Sequence, residues 1–112
     1  MGAIISLSGP ALHLADVRDS MILAVDEINS WGGVNRREME LIIEDSETNP
    51  EEGKKAFHKL ETAHHPVLYV STTSSVSMAL GPLAEKNKII LVGLETTTPE
   101  LTKKGMDFQI LL

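Results

Sequence analysis

Apolar residues follow two rhythms along this chain. Short apolar-rich runs, AIISL at 3–7, MELII at 39–43, VLYV at 67–70 and KIILV at 88–92, have the length of buried strands. Between the first two, Val17, Met21, Ala24, Val25 and Ile28 recur at helical spacing, with Arg18, Asp19, Asp26 and Glu27 on the other side. That pattern predicts an amphipathic helix from residue 15 to about 31. Gly32-Gly33 closes it, because glycine accepts the left-handed backbone that ends a helix. The VNRRE stretch then reads as a turn.

Asn49-Pro50-Glu51-Glu52 predicts a second helix start. Asn caps, Pro fits the first helical position, and Glu52 would complete a capping box. This helix spans 50–63, with Ala56, Phe57, Leu60 and Ala63 inward. A third helix runs from Ser74 or Ser75, either of which can cap it, to about residue 86. Pro82 lies inside and should kink it or remove one hydrogen bond. Thr98-Pro99-Glu100 repeats the cap-then-proline signal for a short fourth helix ended by Gly105, and 107–112 opens a fifth strand. Strands alternating with helices predict one α/β domain of parallel strands, joined by right-handed crossovers with helices on both faces. Ligands of such sheets bind beyond the carboxyl ends of the strands. Here that rim is made of loops 8–14, 44–49, 71–75 and 93–98.

Length and composition narrow the function. The 112 residues suit one domain, and 42% hydrophobic with 23% charged residues is an ordinary globular balance. A net charge of −6 with dispersed basic residues argues against nucleic acid as a partner. No cysteine is present, so disulfides, thiolate nucleophiles and Cys-based zinc sites are excluded. No apolar run of about 18 residues predicts a transmembrane helix. The N-terminus lacks the basic start and apolar stretch of a signal peptide. As written the chain would be cytoplasmic, or a mature or trimmed piece of an exported protein.

The chemistry-bearing features cluster on the rim. Residues 71–75, STTSS, follow the third strand, and ETTTPE follows the fourth. Hydroxyls and open N–H groups at a helix start can hold a carboxylate or phosphate. The plainer alternative is one capping Ser with the others solvating the loop, and likewise Glu95 could be a ligand group or a solvated acid. Five hydroxyls in a row, with a second cluster on the same rim, keep binding open. After the first strand only Gly9 is present where a dinucleotide site needs G-x-G-x-x-G, and G-K-[ST] is absent. The acids of IIEDSE lack the partners of a receiver-type phosphoacceptor site and read as a solvated turn. His13, His58, His64 and His65 lack the i, i+4 spacing of helical metal ligands and read as surface residues. No G-x-S-x-G elbow occurs. Trp31, at a helix end, reads as a packing anchor. Neither a catalytic group nor a metal or cofactor is expected.

Several segments together resemble the first lobe of type I periplasmic solute-binding proteins, in the branch holding leucine/isoleucine/valine-binding proteins of ABC importers. They are SLSGP, the AVDEIN-x-x-GGVN segment, the ED-x-x-TNPE turn, STTSSVSMALGPLAEKNKIILVG and TTTPELTKKG. The resemblance covers nearly all of the chain, 1–112 being one truncated lobe, but only about a third of such a protein. It implies a three-layer α/β/α sandwich of flavodoxin-like or Rossmann-like topology, with a mostly parallel five-stranded sheet in order 2-1-3-4-5. It also implies a ligand clamped between two lobes, an ABC permease as partner, and a periplasmic or extracellular setting for the parent protein. By motif position, Ser74 matches a carboxylate-binding serine with Thr72 and Thr73 before it. Thr97 matches a ligand-contacting threonine, and Glu95 and Leu14 fall where the cleft is lined. Two departures weigh against a branched-chain amino acid: Glu95 is charged where amino-acid binders are small, and Leu14 replaces what is often an aromatic.

Three functions compete at this stage. The chain is half of a binding site for an amino acid or a related small carboxylate or amide. Alternatively it is a free-standing α/β unit that self-associates through an exposed edge or by segment exchange, or a sensor lobe of a receptor. An enzyme of flavodoxin-like shape is the third, and it lacks a nucleophile–base pair or a cofactor loop.

Overall fold

The computed structural model describes residues 1–10, 16–94 and 109–111. Its elements, in order, are β1 (Gly2–Ile5), α1 (Asp16–Ser30), β2 (Ile42–Asp45), α2 (Pro50–Ala63), β3 (Leu68–Thr72), α3 (Ser74–Lys86), β4 (Ile90–Leu94) and β5 (Gln109–Leu111). The strands form one parallel sheet in the order β2-β1-β3-β4-β5, as the α/β alternation and the resemblance implied. The predicted fourth helix and the Thr96–Thr98 hydroxyls lie outside the described residues.

Two clusters of side chains hold the layers together. On one face Ile4, Tyr69 and Leu91 meet Ala56, Phe57 and Leu60 of α2 and Val76, Leu80 and Ala84 of α3. On the other, Ala3, Ile5 and Val70 meet Met21 of α1. The α1 stripe is narrower than its spacing suggests, since Met21 and Val25 are buried but Ala24 is exposed. Ala63 of α2 is exposed as well, at the end of its helix. Trp31 is 76% exposed and anchors nothing, a correction to its reading as a packing residue. Gly32 and Gly33 do end α1, at φ 105° and 78°. The following Asn35-Arg36 form a tight turn closed by paired Val34 and Arg37 backbone bonds.

Asn49 caps α2 as its sequence promised, its Oδ1 accepting from the N–H groups of Glu51 and Glu52. The reciprocal arm of the capping box is replaced. The Asn49 N–H donates to the Ser46 carbonyl, and Glu52 pairs with Lys55 instead. Helix α3 runs through Pro82 without interruption; the proline ring has no N–H to offer the preceding turn.

Candidate functional site

The carboxyl ends of β1, β2 and β3 stand side by side, with β1 in the middle, so the loop after β1 has a neighbour on each flank. On the β3 flank, the Ser6 N–H donates to Thr72 Oγ1 at 3.1 Å. On the β2 flank, Asp45 accepts the Leu7 N–H at 2.9 Å on Oδ1 and the Ser8 hydroxyl at 2.6 Å on Oδ2. The same Oδ1 accepts the Glu47 N–H at 2.8 Å, and Thr48 Oγ1 donates to the Ser8 carbonyl at 3.0 Å. Gly9 sits at φ 83°, and a Cβ there would run into the Glu47 carbonyl, so the loop and the turn meet backbone to backbone.

The expectation of a merely solvated acidic turn at IIEDSE is therefore wrong. Glu44 and Asp45 belong to β2, Glu44 pairs with Lys59 of α2 at 2.9 Å, and Ser46 is fully buried against Ser6. Partial burial alone would raise the Asp45 carboxyl. Hydrogen bonds from the Ser8 hydroxyl and from the Glu47, Leu7 and Ser8 backbone outweigh it and hold the group below its ordinary range.

The hydroxyl run 71–75 divides by position. Ser71 is fully buried and its Oγ lies 2.7 Å from Ser77 Oγ of α3, inside the core. Thr72 is fully buried, and its hydroxyl holds the loop after β1. Thr73, not Ser74 or Ser75, occupies the cap position of α3, and its carbonyl accepts the first helical bond from Ser77. Its backbone stands at φ 68° and ψ 144°, a region that glycine takes easily and a β-branched residue does not. Such a conformation costs about 1–3 kcal/mol and persists only where surrounding structure enforces it. Ser74, half-buried, and Ser75, exposed, open the first turn of α3, whose leading N–H groups carry the positive end of the helix dipole.

The structure thus brings Thr72, Thr73 and Ser74 together at the β3–α3 junction, beside the loop that follows β1. Leu14, Glu95 and Thr97 lie outside the described residues. Sequence reading placed Ser8 and Asp45 on rim loops but missed the bond that joins them. The available signal was an acid at a strand end opposite a Ser-Gly loop, which takes the topology to recognise.

A separate cavity of about 430 Å3 lies at the other end of the sheet, between α1 and the segment leading into β2. Ile22, Val25, Met39, Leu41 and Ile43 line it, with Asp26, Asn29 and Glu40. It shares no residue with the rim. Among the described residues no group of three or more His, Asp or Glu could hold a metal ion, and no helix is long and apolar enough to cross a membrane.

Comparisons with known proteins agree with this fold. A Leu/Ile/Val-binding protein, BraC3 of Rhizobium johnstonii, is 30% identical over 107 residues, covering 95% of this chain and 29% of that protein. A substrate-binding protein of a chemotactic signal transduction system, BasB of Halobacterium salinarum, is 28% identical over 109 residues, covering 94% of this chain and 26% of its own length. Among solved structures, the branched-chain amino acid transporter substrate-binding protein LivJ of Streptococcus pneumoniae, in complex with isoleucine, superimposes with a TM-score of 0.90 at 28% identity. That match covers 98% of this chain and 32% of LivJ. The chain thus spans less than a third of the length of these relatives. Residues 1–108 match the periplasmic binding protein family, and the chain belongs to it.

Proposed function

We propose that this chain is the first lobe of an ABC-transporter solute-binding protein and supplies one wall of a site for an amino acid or a related small carboxylate or amide. The observation that carries this reading is the β3–α3 junction. There Thr73 is held in an unfavourable backbone conformation at the start of a helix whose first turn carries Ser74 and Ser75. A carboxylate set there meets oriented N–H groups and hydroxyls. Ser74 is assigned the carboxylate, with Thr73 beside it. Thr72 acts from beneath by holding the neighbouring loop. Thr97, Glu95 and Leu14 are assigned to the same wall from their motif positions. The likeness to LivJ in complex with isoleucine supports an amino-acid-like ligand. In the parent protein the partners would be a second lobe and an ABC permease, and the setting periplasmic or extracellular.

A single wall cannot desolvate its ligand, so affinity should be weak. Titrating the chain with L-isoleucine should shift the amide resonances of residues 73–76, with a dissociation constant on the order of millimolar. Ser74→Ala should reduce that response several-fold. Shifts confined to other regions, or a Ser74→Ala variant indistinguishable from the parent, would sink the assignment.

A second reading has its own observation. Ile90 and Ile110 are 42% and 46% exposed on the sheet face that α1 leaves open, which favours self-association of this chain. Light scattering that returns a monomer at micromolar concentration removes it.

A further inference from the structure

The rim carries one group that the ligand reading does not use, and its bonds reach further than its own turn. Asp45 ends β2 and gathers four donors from two segments: the Leu7 N–H and the Ser8 N–H and hydroxyl of the loop after β1, and the Glu47 N–H of its own turn. Ser6, one residue earlier in that loop, is tied the opposite way, to Thr72 at the foot of the α3 start. The loop after β1 is therefore held on both flanks, by a carboxylate on one side and a threonine hydroxyl on the other.

We propose that Asp45 is a positioning residue for ligand binding: by clamping Leu7 and Ser8 it fixes residues 6–9 as a rigid wall beside the α3 start. This rests on the rim being the ligand wall. The carboxylate is suited to the task, because it accepts several donors at once and each bond is charge-assisted. Thr48 reinforces the clamp from the same turn by donating to the Ser8 carbonyl. Backbone-to-backbone approach at Gly9 leaves the loop no room to settle closer to the turn. A loop released from Asp45 keeps its tie to Thr72 and pivots there, so the α3 start stays in place while the wall beside it moves.

Asp45→Asn and Asp45→Ala separate the contributions. Asn keeps an oxygen for the backbone N–H groups and loses the charge-assisted bond from Ser8, while Ala loses every bond. Should either variant fold poorly, Ser8→Ala removes a single bond with less risk. Amide hydrogen exchange without ligand should speed up at residues 6–9 in the order wild type, Asn, Ala, with residues 73–77 unchanged. Unchanged exchange at 6–9 overturns the clamp whatever binds. Affinity for L-isoleucine, read from the 73–76 resonances at a temperature where all variants are folded, should fall about tenfold in Asp45→Ala and less in Asp45→Asn. Equal affinities across the series would show that Asp45 serves stability alone and overturn the positioning role. A wild-type chain that responds to none of L-isoleucine, L-alanine, benzoate and acetamide overturns the ligand reading, and the positioning role with it. The exchange data then still report on the clamp, so the two failures are told apart.

Discussion

On the side of the sheet covered by α2 and α3, Ile4, Leu60, Tyr69, Val76, Leu80 and Leu91 are at most 1% exposed. On the side where α1 lies, Met21 and Val25 are 9% and 7% exposed, Val92 and Leu94 are only partly buried, and Ile90 and Ile110 are 42% and 46% exposed. Both faces carry the same kinds of side chain, so composition does not explain the difference. Connectivity does. The link from β1 to β2 runs one way across the sheet, and the links from β2 to β3 and from β3 to β4 run the other. Right-handed crossovers then put α1 on one face and α2 and α3 on the other. Five strands at about 4.8 Å spacing make a sheet about 19 Å wide, and one helix is about 10 Å across. Among the described residues a single helix lies on that face, and it leaves the β4–β5 half open.

This asymmetry predicts graded responses. Leu80→Ala should cost about 3–5 kcal/mol and Met21→Ala about 2, because a site at the edge of the core relaxes more easily. Urea unfolding of both variants checks it, and equal losses would mean the two faces are equally well packed. Gly53→Ala tests how closely the covered face is fitted. A Cβ there would lie 2.9 Å from Val76 Cγ1, and Val76 is fully buried. The clash should outweigh the gain in helix propensity, for a net loss of about 1 kcal/mol. Val76→Ala in the same chain should recover part of it.

Asp45 tests the rim between the faces. Its folded carboxyl titrates below the ordinary 3.8, so its contribution to stability is complete above that value and is lost as pH falls through the folded pKa. Thermal midpoints should show Asp45→Asn below wild type at pH 7, with the gap narrowing as the pH falls below 3.8. A gap that stays constant with pH would mean that the charge contributes nothing. Smallest is the open face itself. Ile90→Ser with Ile110→Ser should change monomer stability by no more than about 0.5 kcal/mol. The double variant should nevertheless lower the apparent mass in light scattering if this face self-associates.

How much of this could be read in advance depended on range. Helix α2 was legible to the residue, because Asn49 and Pro50 carry their own local instructions. Strand β2 was expected at 39–43 and lies at Ile42–Asp45. The Asn29 side chain donates to the Met39 carbonyl and accepts its N–H, which removes Met39 from sheet pairing. Glu44 and Asp45 can then end a strand because each finds a partner, in Lys59 and in the Ser8 loop. Strand β3 continued past Val70 for the same reason, since Ser71 and Thr72 are satisfied by Ser77 and Ser6. Strand β4 starts late because the Ile89 N–H closes the end of α3 on the Ala84 carbonyl. At the site, the Thr72–Ser74 junction was visible as a polar run after an apolar one. The Asp45 clamp was not, because its two halves lie 37 residues apart in the chain.

Strand β1 is synthesised before both of its sheet neighbours and lies between β2 and β3 in the finished sheet. Its pairing partners begin at Ile42 on one side and at Tyr69 on the other. At roughly 5–20 residues per second, the segment GAII waits for several seconds before both neighbours exist. During that interval an apolar strand has no sheet to join and stays exposed to wrong partners.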